Sequence, residues 1–420
     1  MIRYKVQTQL ISVTLVFLSL AGCGTPATTP VSITPTSTMV PPTITLTFTP
    51  SPTPTNTRTP TPVPNRCKLP EAAGHRDVGL GFPRYAARMA SAGTIRAKVI
   101  FVDFSDAPAS ETPENTFARI APEAPEFFSA VSYGRMNLEL EPYFTWLRMS
   151  KPSADYKFER GFSFDLHQAY IEEAITLADP EVDFSDAQAV YVMANPSARH
   201  ISFGPGFTPT NSSFGIRVDG NTVTNGATSG YDIKDWGSLW LNHEAGHTLG
   251  LVDLYAFESN TNNYSDTHRF VGDFSLMGYI TGKAPEPLAY ERWLVGWLDD
   301  DQVICQQTNS ETTTLTAIEA AGGTKAVMVT TGRTSAVVVE SRRPLGYDSH
   351  LFKPGALIYS IDTSVPTGEG PIKIFPVVAN DPYRDRSPLA VGESVTVDNV
   401  TITVVSATSD SDTVEVKIGN

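Results

Sequence analysis

Positive charge is in short supply. Thirty-one Lys and Arg stand against 45 Asp and Glu, a formal net charge of −14. With no basic cluster, that balance speaks against a nucleic-acid partner, which calls for a basic face, and offers no patch for anionic lipid. Long apolar runs are also missing. The run from Leu10 to Leu20 is too short to span a bilayer. Cysteine is scarce, with Cys23, Cys67 and Cys305 alone in 420 residues. At most one intramolecular disulfide can therefore form. No EF-hand spacing occurs anywhere.

What is present begins with an export signal. Arg3 and Lys5 precede the apolar run, which ends Leu20-Ala21-Gly22-Cys23-Gly24. That ending resembles the bacterial lipobox, which implies residues 1–22 as a lipoprotein signal peptide and Cys23 as the lipidated first residue of the mature chain. The alternative is a plain secretory signal cleaved nearby. Arg3 and Lys5 are the only charges before Cys23, so the mature chain carries a net charge near −16. Residues 23–66 follow as a Thr/Pro-rich stretch that cannot bury a core and favours extended, disordered conformations. It reads as a linker or stalk. The expected location is the cell surface, outside the cytoplasm, with the lipid anchored in a bacterial membrane that the chain does not span.

The remaining residues have room for two domains, expected at 67–304 and 305–420. The first shows α/β alternation. Ala97 to Phe104 is apolar enough for a central strand, Phe127 to Gly134 reads as a short helix with a turn, and Met136 to Leu140 as a strand. Asp165 to Leu177 has helical spacing, and Ala187 to Met193 is another strand. Phe203 to Gly230 is rich in Gly, Thr, Asn and Ser and predicts loops, with Gly215 to Val218 a candidate strand.

Next comes the stretch that carries chemistry, His243-Glu244-Ala245-Gly246-His247-Thr248-Leu249-Gly250-Leu251-Val252-Asp253. On a helix over Trp236 to Leu249, His243 and His247 stack on one face and can bind one metal ion. Gly250 can end the helix in a left-handed turn. Asp253 can then supply a third, anionic ligand, with His268, Glu258 and Asp266 as competitors. Three protein ligands with a vacant position for water describe a catalytic zinc site rather than a structural one. Residues 255–273 hold Glu258, Asn260, Asn262, Asn263, Asp266 and Asp273. Such an oxygen-rich loop can bind calcium, although a solvated surface loop is the preferred reading. His75, His167, His200 and His350 stand alone and read as structural or surface histidines.

Downstream runs Ser275-Leu276-Met277-Gly278-Tyr279. A His-Glu-x-x-His helix ending in a glycine turn, followed by Ser-x-Met, resembles the metzincin clan of zinc peptidases. The resemblance implies a twisted sheet over a backing helix, Met277 as the Met-turn floor beneath the metal, and Tyr279 as a contact to metal or oxyanion. Val99 to Asp106, Phe127-Phe128, Ser132-Tyr133-Gly134, Gly250 to Tyr255, Leu288 to Trp297, Val337 to Arg343 and Gly355 to Tyr359 narrow it to immune inhibitor A-type secreted metallopeptidases. Val252 departs from the proline usual in that family. The implied activity is zinc-dependent endopeptidase (hydrolase) action on protein or peptide substrates. The resemblance further implies Zn2+ held by His243, His247 and, as the third ligand ahead of His268, Glu258 and Asp266, Asp253, with Glu244 as the general base. A monomer is expected. Two other classes stay open: a non-catalytic lipid-anchored binding protein with a vestigial zinc site, and a zinc hydrolase acting on something other than protein.

From Cys305 the pattern changes to Val/Ile/Thr-rich runs: Thr312 to Ala317, Ala326 to Thr330, Ala336 to Glu340, Ala356 to Ile361, Val395 to Val405 and Thr413 to Ile418. These predict an all-β, sandwich-like C-terminal domain. Cys67 and Cys305 bracket the expected catalytic domain. They either bridge its ends, as an exported protein permits, or remain two thiols.

Overall fold

The computed structural model describes residues 65–72, 78–159, 161–258 and 264–419. The signal-like segment, Cys23, the Thr/Pro-rich stretch to residue 64, His75, Asn260, Asn262 and Asn263 lie outside the described residues. Among the described residues no helix is long and apolar enough to cross a membrane.

The chain is mixed α/β, with several sheets and few helices. Its first sheet is built on Gly93–Asp103, the strand expected from the Ala97 to Phe104 run. The strand order is Met136–Arg148, Gly93–Asp103, Ala189–Ala194, Gly226–Ser229, Gly206–Phe207. The pairings are parallel except the last, where Gly206–Phe207 runs antiparallel along one edge. Ile95, Ala97, Val99 and Phe101 point into one core, and Ile100 and Val102 into another. A strand buried on both faces is the expected consequence of an unbroken apolar run in a parallel sheet.

Each face has its helices. The first core takes Phe127 and Phe128 from helix Glu123–Val131, and Trp240 and Leu241 from helix Ser238–Thr248. The second takes Tyr170, Ile171, Ala174 and Ile175 from helix Phe164–Ala178. Ser163 starts that helix as its N-cap, its side chain accepting from the Leu166 N–H.

From Val303 onward the regular elements are strands and short 3-10 turns. Five strands run in the order Ile372–Phe375, Gly355–Asp362, Ser335–Arg342, Ala326–Thr330, Val303–Cys305. Four more run Ser394–Val397, Val400–Ala407, Ser411–Ile418, Ser310–Thr316. Val327, Val329, Val337 and Val339 face Ile402, Val404, Val414 and Val416 in a shared core. The alternate residues Met328, Val338 and Tyr359 join the first core beside Tyr290 and Trp293. The five-stranded sheet thus packs on both sides, which ties this region to the first sheet.

Two further ties cross between the same regions. Cys67 and Cys305 form a disulfide spanning 238 residues of sequence. Arg342, fully buried, pairs with Glu340 at 3.0 Å and Asp348 at 2.6 Å, and donates to the carbonyls of Ala284 and Glu286. A buried guanidinium is tolerable because its two Nη groups are met by charge and carbonyl oxygen together, while Nε lies 3.7 Å from Glu319 Oε1.

Candidate metal centre

Helix Ser238–Thr248 carries the site. Trp240 anchors its first turn, donating from Nε1 to the Gly204 carbonyl at 3.0 Å. His243 and His247, one turn apart, bring their rings to 5.0 Å between centroids, nearly perpendicular. The helix then stops at Gly250, whose φ is +100°. Its N–H donates to the His247 carbonyl at 2.8 Å, and the Leu251 N–H to the Gly246 carbonyl at 3.0 Å. That double closure is the Schellman arrangement, and it requires glycine at the turn. It also reverses the chain, so that Asp253 comes back toward the two imidazoles.

The imidazoles are oriented from behind. His243 Nδ1–H donates to the Leu276 carbonyl at 3.1 Å, and His247 Nδ1–H to the Leu251 carbonyl at 2.9 Å. With Nδ1 committed as donor, Nε2 is left as the electron-pair donor of each neutral ring. The two Nε2 atoms lie 3.1 and 3.4 Å from Asp253 Oδ1. One ligand atom from each of the three residues falls within 4.8 Å of the others. Two imidazole nitrogens and one carboxylate oxygen, nearly sealed from solvent, are a donor set that fits a zinc ion.

The electrostatics agree. Burial alone would push the His243 and His247 pKa values down, but Asp253 and Glu244 outweigh it and both are raised, His247 to about 10. Burial opposes the Asp253 charge, yet the adjacent imidazoles hold its carboxyl well below the usual range. The cluster therefore favours positive charge between the two rings and the carboxylate. A divalent cation supplies it without protons.

Glu244 lies beside this trio and lines the same cavity of ≈ 440 Å³. Burial pushes its pKa up, and the Gly206 N–H donates to it. A Cβ at 206 would stand 3.2 Å from Glu244 Oε2, close enough to turn the carboxylate aside. Met277 is buried under Gly246, and its carbonyl accepts from the Leu254 N–H at 2.9 Å. Ser275, at φ +65°, makes the tight turn before it. Its Oγ accepts from the Met277 N–H and donates to buried Glu291, both at 3.2 Å.

Tyr279 is placed apart from His243, His247 and Asp253. Its ring stacks between His268, at 4.1 Å, and Tyr383, at 5.7 Å. His268 lines the cavity with its Nδ1–H bonded to the Gly278 carbonyl at 2.8 Å. Asp266 pairs with Arg269 at 3.3 Å, and Glu258 is exposed. Among the described residues it is Asp253, and not His268, Glu258 or Asp266, that joins the two histidines. In the oxygen-rich loop, Asp273 lies 3.7 Å from Lys283. His167 is buried against Thr228 Oγ1 at 3.2 Å, its pKa pushed down to about 3 by burial, while His200 and His350 are exposed.

Three residues of the cavity were not singled out by residue type or spacing. Tyr255 follows Asp253 by two residues and its ring lies 6.3 Å from His243. Gly206 sits in Gly204-Pro205-Gly206, which reads as loop punctuation and is in fact an edge strand. Thr367 reaches the cavity from more than a hundred residues downstream.

No known protein family and no curated protein matches the chain. Among solved structures it is similar to metalloproteinase-II from Bacteroides fragilis, at 14% identity and TM-score 0.24, covering 54% of this chain and 59% of that one. It is also similar to catalytically inactive OgpA from Akkermansia muciniphila, solved in complex with an O-glycopeptide substrate. There the identity is 12% and the TM-score 0.25, covering 72% of this chain and 96% of that one. This chain thus spans about three-fifths of the length of the first of them. At TM-scores this low neither likeness defines the fold.

Proposed function

We propose that the chain is a zinc-dependent endopeptidase, held at the outer face of a bacterial membrane by a lipid on Cys23. The carrying observation is the convergence of His243 Nε2 and His247 Nε2 on Asp253 Oδ1, with both Nδ1 atoms tied back to carbonyls. The resemblance to immune inhibitor A-type metallopeptidases rests on sequence motifs alone.

His243, His247 and Asp253 would hold a zinc ion there, with Met277 flooring the site beneath the helix, and the ion would supply Lewis acidity to a water molecule and to the substrate carbonyl. Glu244 takes the proton from the attacking water and hands it to the leaving nitrogen. Its burial, which raises its pKa, suits a carboxylate that must carry a proton between two oxygen- and nitrogen-bound states. The Gly206 N–H keeps that carboxylate turned toward the cavity. The edge strand Gly206–Phe207 pairs on one side with Gly226–Ser229.

The test is Glu244→Gln. Zinc content stays at that of the unaltered chain and casein digestion is lost. Undiminished digestion by this variant rules the mechanism out. Loss of digestion of the unaltered chain on treatment with a chelator separates metal-dependent hydrolysis from a binding protein. A Cys23→Ser variant, recovered in the soluble rather than the membrane fraction, tests the anchor.

A further inference from the structure

Asp253 is held by two sets of partners. Its carboxylate faces the histidines. Its backbone faces a loop from the other half of the chain. Strands Gly355–Asp362 and Ile372–Phe375 pair antiparallel, and residues 363–371 connect them. The Asp253 N–H donates to Thr367 Oγ1 at 2.9 Å, and the Gly368 N–H donates to the Asp253 carbonyl at 3.1 Å. Both backbone polar groups of this residue are therefore met by one loop. The Phe257 N–H donates to the Gly368 carbonyl at 3.0 Å, which extends the clasp along the segment after the ligand.

The loop itself has little freedom. Gly368 sits at φ +72°, and a Cβ there would lie 2.2 Å from the Phe257 ring. The loop is closed at its base by the Asp362 N–H donating to the Pro371 carbonyl at 2.9 Å, and Thr363 Oγ1 donates to the Pro70 carbonyl at 2.8 Å. Thr367 also lines the cavity that holds Glu244. By contrast, the residues from Leu251 to Asp253 follow a helix end and belong to no strand or helix of their own. Something outside that segment must fix how far Asp253 reaches.

We propose that Thr367 is a positioning residue of the metal centre: the 363–371 hairpin loop of the C-terminal strands sets Asp253 against His243 and His247. This rests on the reading of those three residues as metal ligands. It gives the C-terminal β region a part in metal binding that no motif near the histidines encodes.

Removing the hydroxyl while keeping the shape, with Thr367→Val, deprives the Asp253 N–H of its acceptor. Zn2+ affinity of the full chain, measured by competition with a chromophoric chelator, should fall about tenfold or more, the range typical of lost outer partners of a ligand. Thr367→Ser restores the hydroxyl and should return affinity to within about twofold of the unaltered chain. The melting temperature of the metal-free protein, taken in parallel, should fall by no more than a few degrees in Thr367→Val, the effect of one unmet N–H, and stay at that of the unaltered chain in Thr367→Ser. Unchanged affinity in Thr367→Val overturns the proposal. So does weakened affinity that Thr367→Ser fails to rescue, because packing rather than the hydroxyl would then be responsible. Asp253→Ala is the separate control on the ligand reading. If it leaves Zn2+ affinity unchanged, the assignment of the site fails, and the proposal with it. If it abolishes binding while Thr367→Val does nothing, only the positioning role fails.

Discussion

Met277 Sδ occupies the space a side chain at Gly246 would need: a Cβ there would come within 2.6 Å of it. The glycine between His243 and His247 is thus a packing requirement. Gly246→Ala gains about 1 kcal/mol of helix propensity but overfills a buried contact, at a cost of about 1–3 kcal/mol. Urea unfolding should show a net loss, with weaker zinc binding because the helix and its floor must part. Met277→Ala alone should cost about 2–5 kcal/mol through the cavity it leaves. The double variant should be more stable than the sum of the two predicts, by about 1 kcal/mol. Strict additivity would mean that the two residues do not press on each other.

The disulfide between Cys67 and Cys305 closes a loop whose ends are 238 residues apart. Constraining so long an unfolded loop stabilises the native state by about 2–5 kcal/mol. Cys305→Ser should lower the melting temperature, and a reductant should lower it in the unaltered chain but not in the variant. Equal sensitivity of both to reductant would contradict the bond's contribution.

Much of this site could be read from the sequence because it is local. The i, i+4 histidines, the Gly250 turn and Asp253 lie within eleven residues; helix geometry stacks the two imidazoles and the glycine turn sends Asp253 back toward them. The central strand and the helix Phe164–Ala178 were legible for the same reason, through unbroken or 3.6-period apolar patterns. The run from Val395 to Val405 shows β character without showing a turn. It is a hairpin, because Asp398 and Asn399 both take positive φ, the tight turn that these residue types permit. The β signal on either side concealed it. Thr367, Gly206 and the Arg342 cluster were out of reach for another reason. Their roles arise from tertiary contacts across long separations, and neither a threonine in a loop nor an arginine in a strand announces its partner.

Glu291 predicts a pH dependence. It is fully buried, and burial raises its pKa to about 7. Its oxygens accept from the Leu288 N–H at 2.8 Å and from Ser275 Oγ at 3.2 Å. Between the ordinary glutamate value and 7 the unfolded chain has released the proton while the folded chain keeps it. Stability from this group therefore declines as pH rises through that window and levels off above it, by on the order of 2–3 kcal/mol in all. Glu291→Gln supplies a neutral amide that accepts from Leu288 and donates to Ser275. It should be more stable than the unaltered chain at pH 8 and no better at pH 4.5. A gain of equal size at both pH values would show that ionisation of Glu291 is not the cause.

Two glycines on the edge of the first sheet should fail in different ways. A Cβ at Gly204 would lie 2.0 Å from the Thr228 carbonyl oxygen and 2.6 Å from Trp240 Nε1, the group that already donates to the Gly204 carbonyl. Neither a strand carbonyl nor a fully buried indole can give way. Gly204→Ala should therefore lose about 3 kcal/mol or more of stability, since overpacking against fixed backbone is at the costly end of its range. At Gly206 the nearest atoms are Glu244 Oε2 at 3.2 Å and His247 Cβ at 3.4 Å. The Glu244 carboxylate can turn aside by a few tenths of an ångström, so the fold should survive Gly206→Ala with little change in melting temperature. What suffers is the angle at which the base meets the water, and small misplacements of a reacting group cost up to about a hundredfold in rate. Peptide hydrolysis by Gly206→Ala should fall at least tenfold while zinc content holds, and Gly204→Ala should lose fold, metal and activity together. If Gly206→Ala hydrolyses peptides normally, Glu244 is not the group that this edge strand aligns.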